Sequence, residues 1–322
     1  MFSNLRSLIF KLDPELAHNL AIKSLKFNFV PNILDEDKNN PLFKTKLFNK
    51  NLDNPIGMAA GFDKNAEVYN SLFKLGFGFV EVGTITPLKQ FGNPKPRVFR
   101  LVEDQALINR LGFNNLGATN VLDRIKSNSQ IGLLGINIGP NKITDNRLND
   151  YVECLKTFYD VADYITINIS SPNTEDLRSF HDQTKLNELL ELIDKEKKIL
   201  NSTIPIAVKV SPDINDKEIN KICDVLLSNN IEVIIVSNTS DSTRENLNNI
   251  QGHQKGGLSG KPIEKKSTKL INKFYKILKG RIKIIGVGGV DSGESAYKKF
   301  LAGANYVQLY TGMVFRGPNI VN

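Results

Sequence analysis

From residue 55 onward the chain alternates between two textures. Short runs rich in β-branched residues give way to longer stretches whose apolar residues recur at intervals of three and four. The short runs are "PIGMAAG" from Pro55, "FGFVEVG" from Phe77, "IGLLGIN" from Ile131, "DYITINI" from Asp163, "IPIAVKV" from Ile204, "EVIIVSN" from Glu232, "IKIIGVG" from Ile282 and "ANYVQLY" from Ala304. Most are apolar at nearly every position, as expected of strands covered on both faces. The helix-period stretches between them include 66–75, 148–159, 186–200, 216–227 and 263–278, and they supply the crossovers that parallel neighbours require. About eight strands is the number a closed parallel barrel needs. The pattern therefore predicts an α/β protein, a (β/α)8 TIM barrel; an open doubly wound sheet is the alternative arrangement of the same units.

The N-terminus departs from this rhythm. In "FSNLRSLIFKLDPELAHNLAIKSLKF" apolar residues fall at helical spacing twice. Phe2, Leu5, Leu8 and Ile9 form one stripe, and Leu16, Leu20 and Leu25 another, with Pro14 suited to the first turn of the second helix. No run approaches the roughly 20 apolar residues that span a bilayer, and the patch at 8–10 is too short for a signal-peptide core. The segment is expected neither to cross a membrane nor to be cleaved. With Arg6, Lys11, Lys23 and Lys26 beside the stripes, it reads either as an amphipathic pair lying in an acidic membrane interface or as a helical hairpin packed on its own domain. The division expected is a helical extension over 1–40 and a barrel over 41–322.

Composition narrows the picture modestly. An apolar content of 40% and a charged content of 24% fit a folded globular chain. The net charge of +8 favours an anionic partner such as a carboxylate, a phosphate, a nucleic acid or an acidic lipid surface. Cys154 and Cys223 suggest neither a disulfide framework nor a metal site, so reduced thiols and a cytosolic face are expected. No carboxylate cluster offers a divalent-metal cage, and His18, His181 and His253 lack ligand spacing.

In a barrel, chemistry belongs at the carboxyl ends of the strands. Those positions carry Lys64 in "AAGFDKN", Thr84 in "VGTITP", Asn137, then Asn168, Ser170, Ser171 and Asn173, then Lys209, Ser237, Asn238 and Thr239, and lastly Tyr310 and Thr311. Two lysines and repeated amides at one mouth suit a flat, carbonyl-rich ligand with some negative charge. The cluster in "TINISSPNT" also admits a local reading, as the cap of the next helix. "GGLSG" from Gly256 and "GVGGV" from Gly286 precede helical stretches and fit a phosphate-binding site after the last strands, or simply tight turns.

Taken in order, "AAGFDKN", "VGTITP", "GNPKPRVFRL", "INRLGFNN", "NISSPNT", "VKVSPD", "SNTS", "GGLSG", "GVGGV" and "YTGM" resemble the class 2, quinone-dependent dihydroorotate dehydrogenases over nearly the whole chain. The resemblance implies a barrel flavoprotein that oxidises dihydroorotate to orotate in pyrimidine synthesis and passes electrons through FMN to a membrane quinone. By the same resemblance Ser171 is the catalytic base, at a position where the soluble class carries Cys. Lys64, Asn109, Arg110, Leu111, Gly112, Phe113, Asn114, Asn168, Asn173, Asn238 and Thr239 would bind the substrate. Ala60, Gly61, Thr84, Asn137, Asn168, Lys209, Ser237, Gly260, Gly289, Tyr310 and Thr311 would hold FMN.

The resemblance also turns the N-terminal extension into a quinone-access element on the lipid surface, with His18, Arg100 and Tyr310 at the polar end of its pocket. It implies a peripheral protein on the cytoplasmic face of the inner membrane. Three departures from the family pattern stand out: Ser237 where Thr is usual, Pro140 where Lys is more common, and a chain that stops at Asn322, where relatives usually continue into another helix. Pro140 is expected to loosen a contact near the third strand, and the ending to leave the eighth helix incomplete. Two other classes compete: a barrel flavoenzyme reducing uridine in tRNA, and a non-catalytic flavin- or phosphate-binding scaffold. The first calls for a cysteine acid near the flavin and an RNA-binding module, neither of which the sequence displays, so no nucleic-acid partner is expected.

Overall fold

The computed structural model describes residues 2–27, 40–174, 176–242 and 244–322. Eight parallel strands close into a barrel in chain order: β1 (Ile56–Met58), β2 (Phe79–Ile85), β3 (Leu133–Ile138), β4 (Tyr164–Asn168), β5 (Ile206–Val210), β6 (Val233–Val236), β7 (Lys283–Val287) and β8 (Tyr306–Leu309). The ring closes where β8 pairs with β1, Val307 opposite Ile56 and Leu309 opposite Met58. Each of the eight apolar runs contributes one strand, and closure excludes the open doubly wound sheet.

The alternation of side chains along each strand explains why so many runs read as continuously apolar. One parity faces outward: Val80, Val82, Leu134, Ile136, Ile165, Ile167, Val208, Ile234 and Val307 join a cluster with helix residues such as Leu155, Leu190, Ile222 and Phe274. The opposite parity fills the amino-terminal end of the barrel with Phe79, Leu133, Tyr164, Ala207, Val233, Ile285 and Tyr306. A hairpin, Thr45–Leu47 with Lys50–Leu52, stoppers that end with Leu47 and Leu52. Gly135 on β3 has no alternative, since a Cβ there would lie 2.1 Å from the Tyr164 ring.

After the N-terminal helices α1 (Phe2–Ile9) and α2 (Pro14–Lys26), the outer helices are α3 (Tyr69–Lys74), α4 (Ala118–Lys126), α5 (Arg147–Phe158), α6 (Gln183–Ile199), α7 (Asp216–Ser228), α8 (Glu264–Leu278), α9 (Gly293–Leu301) and α10 (Thr311–Arg316). The eighth helix is short, but a turn at Pro318–Ile320 follows it, and Ile320 and Val321 pack on the main core. The last and first strands are covered nonetheless, with Val307, Leu309 and Met58 buried. The turn after β3 is also not loosened: Pro140 is buried, and the next residue, Asn141, donates to Thr86 Oγ1, Leu88 O and Gln90 Oε1 at 2.8–3.1 Å.

Pro14 opens α2 as expected, behind an Asp13 carboxylate that accepts from the Glu15 and Leu16 amides. The packed-hairpin reading is realised in part. Ala17 and Leu25 are buried on the barrel, whereas Leu5, Leu8, Leu16 and Leu20 are exposed. Arg97 grips Glu15 with two bonds of 2.7 and 3.1 Å, and Ser71 Oγ donates to Leu25 O at 2.9 Å, which docks the pair on the barrel. The stretch 28–39, which would join extension to barrel, lies outside the described residues, as does the Phe2 side chain. Among the described residues no helix is long and apolar enough to cross a membrane.

A further antiparallel sheet was not foreseen. Val98–Leu101, Ala106–Asn109 and Gly257–Gly260 form it, with Ala106–Asn109 in the centre. "GGLSG" thus folds as a strand and not as a turn. The sheet has its own small core of Phe99, Leu101, Ile108 and Leu258.

Because Phe79 is fully buried at the stoppered end, Phe79→Ala should cost about 3–5 kcal/mol of stability. Urea unfolding of wild type and variant measures this, and a loss below about 1 kcal/mol would contradict the packing described.

Candidate active site

Toward the carboxyl ends of the strands the inward parity turns polar. Glu81 of β2 is fully buried and accepts from Asn137 Nδ2 at 2.9 Å, Thr166 Oγ1 at 3.0 Å, Tyr164 OH at 3.1 Å and Gln308 Nε2 at 3.3 Å. A buried carboxylate is tolerable only with such satisfaction. From Glu81 a chain of bonds climbs to the mouth. Asn137 Oδ1 accepts from Thr84 Oγ1 at 2.6 Å and from Asn168 Nδ2 at 3.0 Å. Asn168 Oδ1 accepts from Ser170 Oγ at 2.7 Å, and Ser170 Oγ in turn accepts from Asn238 Nδ2 at 2.8 Å. Thr84, Asn137, Asn168 and Asn238 are therefore one network spanning strands two, three, four and six.

Lys209 of β5 stands opposite Asn168 of β4 in register. Burial lowers its ammonium below the ordinary lysine range, and the Glu81 carboxylate counters that effect. It lines a cavity of about 90 Å³ together with Ala60, Asn109, Ser237, Asn238, Thr239, Gly260, Gly289, Tyr310 and Thr311. At Gly260, φ is +95° and a Cβ would lie 2.4 Å from Gln105 O; at Gly289, φ is +74° and a Cβ would lie 2.5 Å from Glu264 Cβ. Only glycine fits at either position.

A larger cavity of about 520 Å³ lies between the N-terminal helices and the mouth. His18, Arg100 and Tyr310, predicted as a group, all line it. The His18 ring meets Phe62 edge-on at 5.3 Å and Tyr310 at 6.2 Å. Burial, reinforced by the Lys64 ammonium, lowers the imidazole to about 3, so it is neutral at physiological pH. Arg100 donates to Phe10 O at 3.0 Å, and its Nε, though buried, has no partner among the described residues. Val98, Leu107, Leu111 and Tyr310 line both cavities, which therefore adjoin.

The remaining predicted residues fall around these two spaces unevenly. Lys64 and Asn114 line the larger cavity, Leu111 both. Lys64 donates to Gly61 O at 2.6 Å, and burial lowers it to about 8 against the pull of Glu15 and Asp63. Asn114 Oδ1 is buried without a partner among the described residues. Ser171 is buried on the loop after β4, its Oγ accepting from the Asn173 amide at 3.2 Å, and Asn173 Nδ2 donates to Asn109 O at 3.1 Å. Arg110 turns outward to Gln254, Lys255 O and Pro96 O, while the Gly112 and Phe113 carbonyls accept from Gln90. Gly61 is apart from the smaller cavity, beside the Tyr310 ring.

Sequence reasoning passed over Glu81, Gln308, Arg97 and Arg178. The first had a signal, a carboxylate inside the apolar run "FVEVG"; the others show their partners only in three dimensions. Cys154 and Cys223 are buried free thiols, both held above the usual range by burial.

A family model described as dihydroorotate dehydrogenase matches residues 42–322. The chain is 46% identical over 323 residues to the dihydroorotate dehydrogenase (quinone) of Bartonella tribocorum, covering 98% of this chain and 88% of the relative. It is 43% identical to the protein of that name from Idiomarina loihiensis, covering 100% and 98%. Among solved structures, DHODH from Eimeria tenella in complex with ferulenol superposes with a TM-score of 0.92 at 39% identity, over 96% of this chain and 88% of that one.

Unfolded His18 takes up a proton near 6.5 and the folded ring only near 3, so its contribution to stability is lost as pH falls through that window. The stability advantage of wild type over His18→Gln should therefore shrink between pH 7 and pH 5 in urea titrations; a constant or widening gap would exclude a buried neutral imidazole.

Proposed function

The chain belongs to the dihydroorotate dehydrogenase family, and from that premise we propose how its residues divide the work between the two cavities. The reaction is the oxidation of dihydroorotate to orotate in pyrimidine biosynthesis, with a quinone as electron acceptor. The family is flavin-dependent, and we assign FMN to the smaller cavity and the adjoining network. The fit rests on chemistry already described: glycines at Gly260, ending the Gly257–Gly260 strand, and at Gly289, after β7, hydroxyls at Ser237 and Thr311, and a buried lysine that complements negative charge on a flavin ring. Ala60, Gly61, Thr84, Asn137, Asn168 and Tyr310 complete the set. FMN supplies the acceptor for hydride from substrate C6 and the electrons that reach the quinone.

Dihydroorotate is assigned to the neighbourhood of Asn109, Asn173 and Asn238, with Lys64, Asn114, Asn168 and Thr239 around it and the 110–113 backbone behind. Ser171 takes the C5 proton. Loss of that proton and of the C6 hydride makes the C5=C6 double bond of orotate. The Asn173 amide, donating to Ser171 Oγ, favours the oxygen's anionic form, and ordered water carries the proton onward. Quinone enters from lipid between α1 and α2, whose exposed leucines face outward, and its polar end meets His18, Arg100 and Tyr310. This makes residues 1–40 an access element of a peripheral protein on the cytoplasmic face of the inner membrane, and 41–322 the catalytic domain.

The observation that carries this reading is that Val98, Leu107, Leu111 and Tyr310 line both cavities, so that a flavin in the smaller would lie next to a quinone in the larger. Ser171→Ala should retain bound flavin while its anaerobic reduction by dihydroorotate slows by about 10²–10⁴-fold; unchanged reduction kinetics would refute the assignment. Deleting residues 1–40 should abolish quinone reduction and membrane association yet leave the flavin bound. Retained quinone activity would overturn the extension's role, and a flavin that dihydroorotate cannot bleach would favour a non-catalytic scaffold.

A further inference from the structure

Arg178, in the 3-10 turn Leu177–His181 after the Ser171 loop, lies where the loops following β4, β5 and β6 meet. Its Nε donates to Ser170 O at 3.4 Å, the carbonyl of the peptide bond that leads into Ser171. Its Nη2 donates to Thr239 O at 3.5 Å, one residue past Asn238. The guanidinium is itself fixed by Asp213 after β5 at 3.2 Å and by Asp241 after β6 at 2.8 Å. Asp213 is immobilised in turn: it accepts from Ser240 Oγ and Ser242 Oγ at 2.6 Å each and from the Asp241 amide at 3.0 Å, and it pairs with Lys266. The Asp213 side chain is only 8% exposed, so its arm of the pair is screened far less than the Asp241 arm at 45%.

We propose that Arg178 is a positioning residue for dihydroorotate oxidation: it clasps the loop bearing Ser171 to the loop bearing Asn238 and Thr239, so that base and substrate amides are held in one register. The proposal rests on the assignment of Ser171 as base and of Asn238 and Thr239 as substrate contacts. The planar fork suits the task, because one guanidinium satisfies two backbone carbonyls and two carboxylates at fixed angles, which an ammonium cannot do. The clasp acts on proton removal at C5. It lies outside both cavities, so it has no part in handing electrons to the quinone.

The test separates the two half-reactions by anaerobic stopped flow. In Arg178→Met the limiting rate of flavin reduction by dihydroorotate should fall by about 100-fold, the scale of a misplacement near 1 Å. The rate of reoxidation by a soluble quinone should stay near wild type. Arg178→Lys, which keeps the charge and loses the fork, should fall in between, and it serves if the methionine variant does not fold. Wild-type reduction rates in these variants would overturn the clasp alone, as would equal losses in both half-reactions accompanied by a lowered melting temperature. A wild-type flavin that dihydroorotate does not bleach would instead overturn the underlying functional assignment.

Discussion

Glu81 puts a carboxylate where water does not reach, and donors from three neighbouring strands converge to hold it: Asn137 of β3, Tyr164 and Thr166 of β4, and Gln308 of β8. An isolated charge there would cost several kcal/mol, so each donor must be in place for the barrel to be stable. That requirement orders the mouth. Asn137 is oriented by its bond to Glu81, which turns its Oδ1 to Thr84 and Asn168, and Asn168 then orients Ser170 and through it Asn238. The same carboxylate counters the desolvation of Lys209. The polar mouth is thus organised from below by one buried carboxylate.

Much of the barrel was legible because strands covered on both faces leave an uninterrupted apolar trace, and all eight traces became strands. The polar exceptions within those traces, Glu81, Thr166 and Gln308, were passed over, and the structure brings all three together inside the barrel. The sheet over the mouth was hidden for the converse reason. Its strands are four residues long, one is half glycine, and the pairing joins Asn109 to Gly257 across a wide sequence gap. Composition cannot reveal a partner that distant. The ordered motifs singled out Ser171 and the asparagines as site candidates. They did not foretell that Arg110 would turn outward, or that Lys64 and Asn114 would front the larger cavity.

The N-terminal pair shows how a single helical stripe can serve two surfaces. Leu16, Leu20 and Leu25 read as one apolar face, yet Leu25 is buried against the barrel while Leu16 and Leu20 remain outside. The Glu15–Arg97 pair sets that orientation, since its two bonds anchor the start of α2 beside the mouth sheet and leave the outer leucines free.

Val98, Leu107, Leu111 and Tyr310 line both hollows, so the two adjoin. On the proposed assignment, the polar reactant comes from water and the greasy one from lipid, and neither has to wait for the other to vacate a common seat. Turnover then becomes a two-stroke cycle in which each stroke answers to its own phase. A change in bilayer composition would slow the second stroke while leaving the grip on orotate untouched.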